Sequence, residues 1–424
     1  MGNLDYTQVL NKIENTRRFG NEPGVVVTAQ VIKVLREKGK QKRIIPYIHV
    51  AGTNGKGSVC AFFSSILKKE HMRVGTFVSP HLVDFEERIT VDGRMIPKED
   101  VTRLGNYLLD IDFGIGLTMF DYCLAMALLY FEEQQCDYMV IETGLGGRLD
   151  STNAIGTPQC AVITKIGYDH MAILGSDIAD IAAEKAGIIK ENGTVVVEQQ
   201  DKRAMQVIEQ EAQKKHARII TVEQSDIARC SGYALRLCGT FQWENAAAAE
   251  LAARYVLGKR YGWPEYEMQY DKTEPKREET DLNKRIKSAL EEAVWPGRME
   301  IVSKEPFLLV DGAHNSNGVD ALKESLMQMY PGEKFCFFMG VMADKDYDVM
   351  IREILPLAEE FYTVTPDSDR ALQASHLADF IRKEGVEATE LSGVDEIRKH
   401  LKRDTKNVAF GSLYFIGELK QHRI

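Results

Sequence analysis

A glycine-rich segment could bind the phosphates of a nucleotide. Residues 51–58 read AGTNGKGS and lie between an apolar run at 44–50 and a helical pattern that starts at residue 59. Glycines let the backbone curl so that its N–H groups face phosphate oxygens, and the start of the helix adds a positive dipole. Lys56 adds a charge that would reach the β- and γ-phosphates, so the segment predicts a phosphate-binding loop.

The segment departs from the strict P-loop pattern GxxxxGK[ST]. Val50 stands where the first glycine should be, and Gly57 separates Lys56 from Ser58. A plain glycine-rich turn between strand and helix is the alternative interpretation. Three glycines, a lysine and a serine between a strand and a helix favour phosphate binding.

A second glycine loop, ETGLGGRLDSTN at residues 142–153, follows the short apolar run 138–141. Residues just past the carboxyl ends of parallel strands line the ligand crevice of such sheets. Glu142 is therefore placed to hold Mg²⁺, which prefers carboxylate, hydroxyl and phosphate oxygens. A glutamate that ends a strand without any ligand is the alternative.

Two more polar residues follow predicted strands. His170 comes after the strand predicted at 161–166, and Ser79 follows the strand predicted at 74–78. His170 could hold a second metal ion or make a structural hydrogen bond in its loop. Ser79 could bind metal through its hydroxyl or cap a turn, so the residues alone leave both roles open.

The elements that must position these residues alternate between strand and helix patterns, which predicts a mostly parallel sheet covered on both faces. We expect an ATPase-like domain at 1–296 and a smaller C-terminal α/β domain at 297–424. Residues 257–287 are charged and nearly free of aliphatic side chains, which predicts an exposed insertion or linker. The further predicted elements are strands at 307–310, 335–339, 361–364 and 408–410, and helices at 121–135, 178–188, 285–294, 319–330 and 347–355.

Composition narrows the class of protein. The 424 residues are 44% apolar and 27% charged, as in globular proteins, and a net charge of −10 argues against a nucleic-acid partner. The seven cysteines show no CxxC spacing, which fits a reducing compartment. No secretory signal is visible, and the longest membrane candidate, 123–131, is shorter than the ~18 residues of a span. We expect a cytoplasmic monomer with no membrane partner.

Taken together, the motifs resemble the folylpolyglutamate synthase/dihydrofolate synthase family, in the Mur-ligase-like superfamily. The matching stretches run in family order along nearly the whole chain: HVAGTNGKGS (49–58), SPHL (79–82), ETGLGGRLDSTN (142–153), DH with LG (169–175), EKAGI (184–188), GTFQWEN (239–245), WPGRME (295–300), DGAHN (311–315) and GSLYFIGE (411–418).

The resemblance implies a Mur-ligase-like P-loop ATPase domain with a C-terminal glutamate-ligase domain. It also implies a role for each of the following site residues. ATP is held by Thr53, Asn54, Gly55, Lys56, Gly57, Ser58, Asn245, Arg298 and Asp311. Magnesium, as two ions, is held by Ser79, Glu142 and His170. The pterin-side substrate lies near Phe120, Asp121, Leu149, Asp150 and Ser151, and glutamate enters near His314 and Ser412. The catalytic residues are Lys56, Lys185 and His314. Lys185, which residue pattern alone would leave as an exposed lysine beside Glu184, would carry an Nζ-carboxylate, a carbamate.

The implied reaction is ATP-dependent amide-bond formation. A carboxylate does not react with an amine, so the γ-carboxylate of a folate first attacks the γ-phosphorus of ATP and becomes an acyl phosphate. The α-amine of glutamate then attacks that carbonyl and phosphate departs. Such phosphoryl transfer depends mainly on positioning and charge neutralisation. The resemblance leaves open whether dihydropteroate is also a substrate. Closure of the two domains would exclude water from the reacting groups.

Two rival functions are considered. A Mur-type ligase of cell-wall precursors is disfavoured by the SPHL segment and by the absence of an obvious nucleotide-sugar domain. A P-loop switch or regulatory ATPase without ligase chemistry would not need the WPGRME and DGAHN segments.

Overall fold

The computed structural model describes residues 4–16, 20–262 and 281–424. The chain forms two compact units. The first contains Met1–Ala234 and Glu244–Ala293, and the second contains Leu235–Trp243 and Val294–Ile424. This division differs from the predicted one at 1–296 and 297–424, because a short earlier segment joins the second unit.

The first unit is built on an eight-stranded sheet with the order β4-β3-β2-β5-β1-β6-β7-β8. All neighbouring strands are parallel except β2–β3 and β3–β4. Its strands are β1 Tyr47–Ala51, β2 Val74–Phe77, β3 Ile89–Val91, β4 Arg94–Met95, β5 Tyr138–Glu142, β6 Cys160–Ile163, β7 Thr194–Val197 and β8 Arg218–Thr221. The order places β1, which leads into the phosphate loop, between β5 and β6.

Helices cover both faces of this sheet. Gly75 of β2 is packed against the ring of Phe131, whereas its neighbour Thr76 is hydrogen-bonded to Ser64 at 2.8 Å. Successive residues of a strand point to opposite faces, so the helices that carry Phe131 and Ser64 lie on opposite sides. The helices in and leading out of this unit's segments are α1 Tyr6–Glu14, α2 Gly24–Glu37, α3 Lys56–Lys69, α4 Lys98–Leu109, α5 Met119–Glu133, α6 Met171–Leu174, α7 Ile178–Ala186, α8 Lys202–Lys214, α9 Gln224–Ser231, α10 Phe241–Tyr261 and α11 Asp281–Glu292.

The second unit is a six-stranded sheet with the order β13-β12-β11-β14-β10-β9, parallel except for β9 against β10. Its core is rich in aromatic rings, with Phe337 between Phe361 and Phe410 at centroid distances of 5.3 and 5.6 Å. Its strands are β9 Glu300–Lys304, β10 Phe307–Val310, β11 Phe335–Met339, β12 Ala358–Thr363, β13 Ala388–Glu390 and β14 Lys406–Phe410. Its helices are α12 Ser316–Met329, α13 Tyr347–Ile354, α14 Ala374–Lys383, α15 Ile397–His400 and α16 Leu413–Gln421.

The predicted class, two α/β domains with mostly parallel sheets, is confirmed. The predicted linker at 257–287 is wrong at both ends, because α10 continues to Tyr261 and α11 begins at Asp281. Leu257 is fully buried, and the charged side chains of α11 surround an apolar face that includes Ile286 and Leu290. The stretch is charged on average, so its composition did not indicate that a helix extends into each of its ends. Residues 263–280, the middle of the predicted linker, lie outside the described residues.

Within the described part of the chain, no helix is both long enough and apolar enough to cross a membrane.

Candidate functional site

The phosphate loop lies at the carboxyl end of the first unit's sheet, between β1 and α3. The backbone N–H groups of Thr53 and Asn54 donate to the carbonyl oxygen of Lys165 at 2.9 and 3.2 Å. The Thr164 hydroxyl donates to the carbonyl oxygen of Asn54 at 2.6 Å. The residues that follow β6 therefore hold the outer edge of the loop.

Gly55 shows why the loop needs glycine. Its φ of 91° lies in the left-handed region, and a Cβ there would come within 2.3 Å of Asn245 Oδ1. Asn245 belongs to α10, far later in the chain, and its side chain packs directly on the loop. The structure thus brings together two residues that the sequence assigned to one ATP site.

Two lysines converge on the same loop. Lys56 Nζ donates to the carbonyl oxygens of Gly52 and Thr53, both at 3.2 Å. Lys185 Nζ donates to the carbonyl oxygen of Gly52 at 2.7 Å, and its side chain is buried. Burial, with a further contribution from the charge of Lys56, lowers the pKa of Lys185 to about 7. A buried amine with this pKa exists largely in its neutral, nucleophilic form at slightly alkaline pH.

Glu142 and Ser79 lie together at the ends of β5 and β2. The Glu142 side chain is only 5% exposed, and its Oε2 accepts from the Ser79 N–H at 3.2 Å. Its Oε1 lies 3.9 Å from Lys56 Nζ. A carboxylate next to the phosphate loop is a suitable hard ligand for Mg²⁺.

His170 follows a strand, as predicted, although that strand ends earlier than expected. β6 ends at Ile163, so His170 lies in the following loop, where it precedes α6 with a φ of 52°. Its side chain is 40% exposed, and its backbone N–H donates to Asp169 Oδ1 at 2.8 Å. Within the described ranges, no cluster of three or more His, Cys, Asp or Glu side chains could hold a metal. Magnesium usually binds one or two protein carboxylates and completes its coordination shell with phosphate and water oxygens. The Glu142 carboxylate therefore fits a magnesium site.

The second glycine loop is held by two buried carboxylates. Asp150 accepts from the Leu145 N–H at 2.8 Å, and burial raises the pKa of its carboxyl. Asp121 accepts from Ser151 Oγ at 2.6 Å and from the Thr118 hydroxyl at 2.6 Å. Asp121 therefore already has partners within the protein, and its position suits a residue that orients Ser151.

Phe120 lies over the start of this loop. A Cβ on Gly144 would come within 2.6 Å of the Phe120 ring, which also meets Phe77 edge-on at a centroid distance of 5.5 Å. Leu149 is exposed. The structure thus places an aromatic ring and an exposed leucine on the loop that the sequence assigned to the substrate.

The predicted residues of the second unit form their own cluster at the ends of β10 and β14. Buried Asp311 accepts from the Met299 and Ala313 N–H groups at 2.8 and 2.7 Å, and burial raises its pKa. Arg298 packs against Gly312, where a Cβ would come within 1.9 Å of Nη1. His314 Nδ1 is 2.8 Å from the Gly312 carbonyl oxygen.

Ser412 joins this cluster at the start of α16. Its side chain is buried and accepts from the Phe415 N–H at 3.1 Å, as a helix cap does. The neighbouring Gly411 N–H donates to the Ala313 carbonyl oxygen at 3.0 Å, which ties the two loops together.

Comparison with known proteins settles the family. The chain is 33% identical over 453 aligned positions to the dihydrofolate synthase/folylpolyglutamate synthase of Bacillus subtilis, with 98% of each chain covered. This chain belongs to the folylpolyglutamate synthase/dihydrofolate synthase family. The folylpolyglutamate synthase of Lacticaseibacillus casei is 30% identical, with 87% of each chain covered.

Domain and structure comparisons agree with this family. Residues 50–253 match the Mur ligase middle domain, and residues 297–410 match the glutamate ligase domain of Mur ligases. Folylpolyglutamate synthase of Mycobacterium tuberculosis complexed with ADP superposes with a TM-score of 0.82 at 25% identity, covering 99% of this chain and 98% of that one. E. coli FolC in complex with DHPP and ADP gives 0.79 at 26% identity, covering 99% and 97%. This family member is an ATP-dependent ligase.

Three residues of this family member contribute to the site and were not predicted. Thr164 and Lys165 hold the phosphate loop, as described above. His49 of β1 is fully buried, its Nε2 lies 2.7 Å from Thr152 Oγ1, and burial lowers its pKa to about 3. Of these three residues, only His49 lies in a matching motif, because it starts the HVAGTNGKGS stretch. Its role depends on contacts that the sequence does not show.

Proposed function

We propose that this ligase adds L-glutamate to the γ-carboxylate of a reduced folate with cleavage of ATP to ADP and phosphate. The full-length similarity to folylpolyglutamate synthases carries this proposal. Dihydropteroate is a second acceptor, supported by the double name of the Bacillus subtilis relative, dihydrofolate synthase/folylpolyglutamate synthase.

The phosphate loop supplies the residues for the first step. A carboxylate oxygen of the folate attacks the γ-phosphorus, the bond to the β-phosphate oxygen breaks, and ADP leaves with that electron pair. Lys56 starts α3 directly after Gly55, so its ammonium and the loop N–H groups can neutralise the charge on the transferred group. In the structure Lys56 Nζ binds loop carbonyls, and nucleotide binding would exchange these partners for phosphate oxygens.

Glu142, with Ser79 and His170, would hold magnesium in this proposal. Magnesium bound there would offset the negative charge of the phosphate oxygens, and two ions would act on both sides of the transferred group. Glu142 is already oriented by the Ser79 N–H, so little rearrangement of the carboxylate is needed.

Lys185 is the proposed site of a carbamate. The neutral amine attacks CO₂, forming an N–C bond, and releases one proton to leave an N-carboxylate. Its buried position and its pKa near 7 supply the neutral amine that this reaction needs. The modification replaces the neutral amine beside Lys56 with a −1 group, which favours a nearby cation.

The second step forms the amide. The α-amine of glutamate attacks the acyl phosphate carbon, phosphate leaves with the bonding pair, and the nitrogen releases one proton. We assign glutamate binding to the His314 and Ser412 loops of the second unit. If His314 donates its Nδ1 proton to the Gly312 carbonyl, Nε2 is the basic nitrogen of the neutral ring.

We further propose that the ligase is a monomer in the cytoplasm that acts on small molecules without a nucleic-acid or membrane partner. The net charge of −10 supports the absence of a nucleic-acid partner, and the seven free cysteines support a reducing compartment. Size-exclusion chromatography with light scattering tests the oligomeric state, and a dimer mass would contradict it.

Product analysis tests the proposed activity. The enzyme is incubated with MgATP, glutamate and either tetrahydrofolate or dihydropteroate, and the pterin product is examined by mass spectrometry. The proposal expects a gain of one glutamyl residue on tetrahydrofolate. Unchanged tetrahydrofolate after ATP consumption would contradict it, and the dihydropteroate reaction decides the second activity separately.

A further inference from the structure

Two carboxyl groups with no role in the reaction lie behind the phosphate loop. Glu198 directly follows β7 and is only 1% exposed. Its Oε2 accepts from the Lys165 N–H at 2.7 Å, whereas its Oε1 is buried with no hydrogen-bond partner among the described residues. A buried carboxylate oxygen without a partner costs folding free energy, and a proton on the carboxyl group lowers that cost.

The neighbouring carboxyl belongs to Glu244 in the first turn of α10. Glu244 Oε1 accepts from the Gln199 N–H at 2.7 Å. Of the two residues directly after β7, Glu198 therefore carries one carboxyl group and Gln199 binds the other. Burial and the charge of Glu244 raise the pKa of Glu198 well above its usual value. Burial also raises the pKa of Glu244, against the lowering effect of Lys165.

These contacts form a closed ring of interactions that includes the phosphate loop. Asn54 N–H donates to Lys165 O, and Lys165 N–H donates to Glu198. Gln199 N–H then donates to Glu244, which adjoins Asn245 in α10. The ring closes where Asn245 Oδ1 packs on Gly55.

The Gln200 side chain stiffens the same ring. Its Oε1 accepts from the Ile166 N–H at 2.9 Å, and its Nε2 donates to the Thr164 carbonyl oxygen at 3.0 Å. Lys165 Nζ donates to the Gln199 carbonyl oxygen at 2.8 Å. The ends of β6 and β7 are thus fixed to each other, and the loop and α10 are fixed to them.

We propose that Glu198, which keeps a proton on its buried carboxyl group, and Glu244 are positioning residues that hold Asn245 against the phosphate loop. The proposal rests on the proposed ATP site. Neither carboxyl group touches the nucleotide in this account. They act through the backbone of residues 165 and 199 and through the adjacent Asn245.

Nucleotide affinity depends on the proton of Glu198. At low pH Glu198 holds this proton and the ring is intact. As the pH rises through the raised pKa of Glu198, the proton is lost and a buried carboxylate forms near the charges of Glu244 and Lys165. Nucleotide affinity should therefore fall with rising pH.

Isothermal titration with MgADP on the full chain tests this. Glu198→Ala should weaken binding about tenfold at low pH, where the wild-type ring is intact. Glu198→Gln keeps an acceptor for Lys165 N–H and stays uncharged at every pH, so its affinity should match that of the wild type at low pH. The Glu198→Gln affinity should also stay higher at alkaline pH, where the wild type weakens. Glu292→Gln, which removes an exposed carboxylate paired with Lys69, is the matched control and should follow the wild type.

Equal pH profiles for the wild type and Glu198→Gln would overturn the proposal, as would wild-type affinity at low pH in a folded Glu198→Ala variant. If Glu198→Ala does not fold, the comparison with Glu198→Gln decides alone. Absence of MgADP binding by the wild type would instead count against the proposed ATP site, so the two failures are distinguishable.

Discussion

Lys185 Nζ lies 2.7 Å from the carbonyl oxygen of Gly52, so a buried lysine of α7 contacts the phosphate loop itself. Lys56 contacts the same carbonyl oxygen at 3.2 Å. Two amines on one carbonyl would both be charged at neutral pH if the pKa of Lys185 were not lowered. This contact links the phosphate loop to the proposed carbamate.

Lys56→Ala should lower kcat by about a hundredfold or more, because the variant lacks the charge that neutralises the transferred phosphoryl group. ADP release measures this, and thermal unfolding should show an intact fold. Lys69→Ala, at the exposed end of the same helix, is the control and should keep its activity. A folded Lys56→Ala enzyme with normal ADP release would remove the phosphate role.

Gly55→Ala should raise the dissociation constant for MgATP at least about tenfold. The new Cβ would meet Asn245 Oδ1 at 2.3 Å, and alanine is strained at a φ of 91°. Gly39→Ala is the control, since Gly39 also has a positive φ of 65° but no described atom within 4 Å of the added Cβ. Similar losses in both variants would show that strain alone, and not the contact with Asn245, is responsible.

Lys185→Ala should lose activity about 10–100-fold and regain part of it with added acetate, which replaces the missing carboxylate. In enzyme depleted of CO₂, bicarbonate should restore activity faster at about pH 8 than at about pH 6, because only the neutral amine reacts. The pKa near 7 sets this window. Carbon-13 NMR after labelled bicarbonate should show a carbamate signal, and a fully active Lys185→Ala enzyme would refute the role.

Crystals grown with a nonhydrolysable ATP analogue and Mn²⁺ should show metal density about 2.0–2.2 Å from a Glu142 oxygen. Anomalous scattering identifies the ion and would reveal whether Ser79 and His170 join it. Metal bound elsewhere, with Glu142 directed away, would count against the assignment. Glu133→Gln, which alters an exposed carboxylate paired with Arg103, should leave the metal in place.

The sequence predicts the parts of the site that are local. Lys56 and Glu142 follow strands whose apolar runs are plain, and parallel strands bring their ends to one edge. The fold class follows from the same alternation of strands and helices. The 257–287 prediction failed at its ends because the charged residues of α11 mask the apolar face that packs on the core.

Contacts between distant segments were beyond sequence patterns. Lys185 beside Glu184 has the pattern of a surface lysine, yet the fold buries it under the phosphate loop. The family resemblance places Asp121 near the substrate, and its contacts with Ser151 and Thr118 became visible only in the structure. Glu198 lies outside every matching motif, and Glu244 lies in the GTFQWEN stretch without an assigned role, because the roles of both depend on contacts between distant segments.

The most direct test of the account is ADP release by the purified enzyme with each substrate omitted in turn. ADP should form rapidly only when MgATP, glutamate and a folate or dihydropteroate acceptor are all present. ADP release at the same rate without glutamate and without any pterin would identify an ATPase and contradict the proposed ligase.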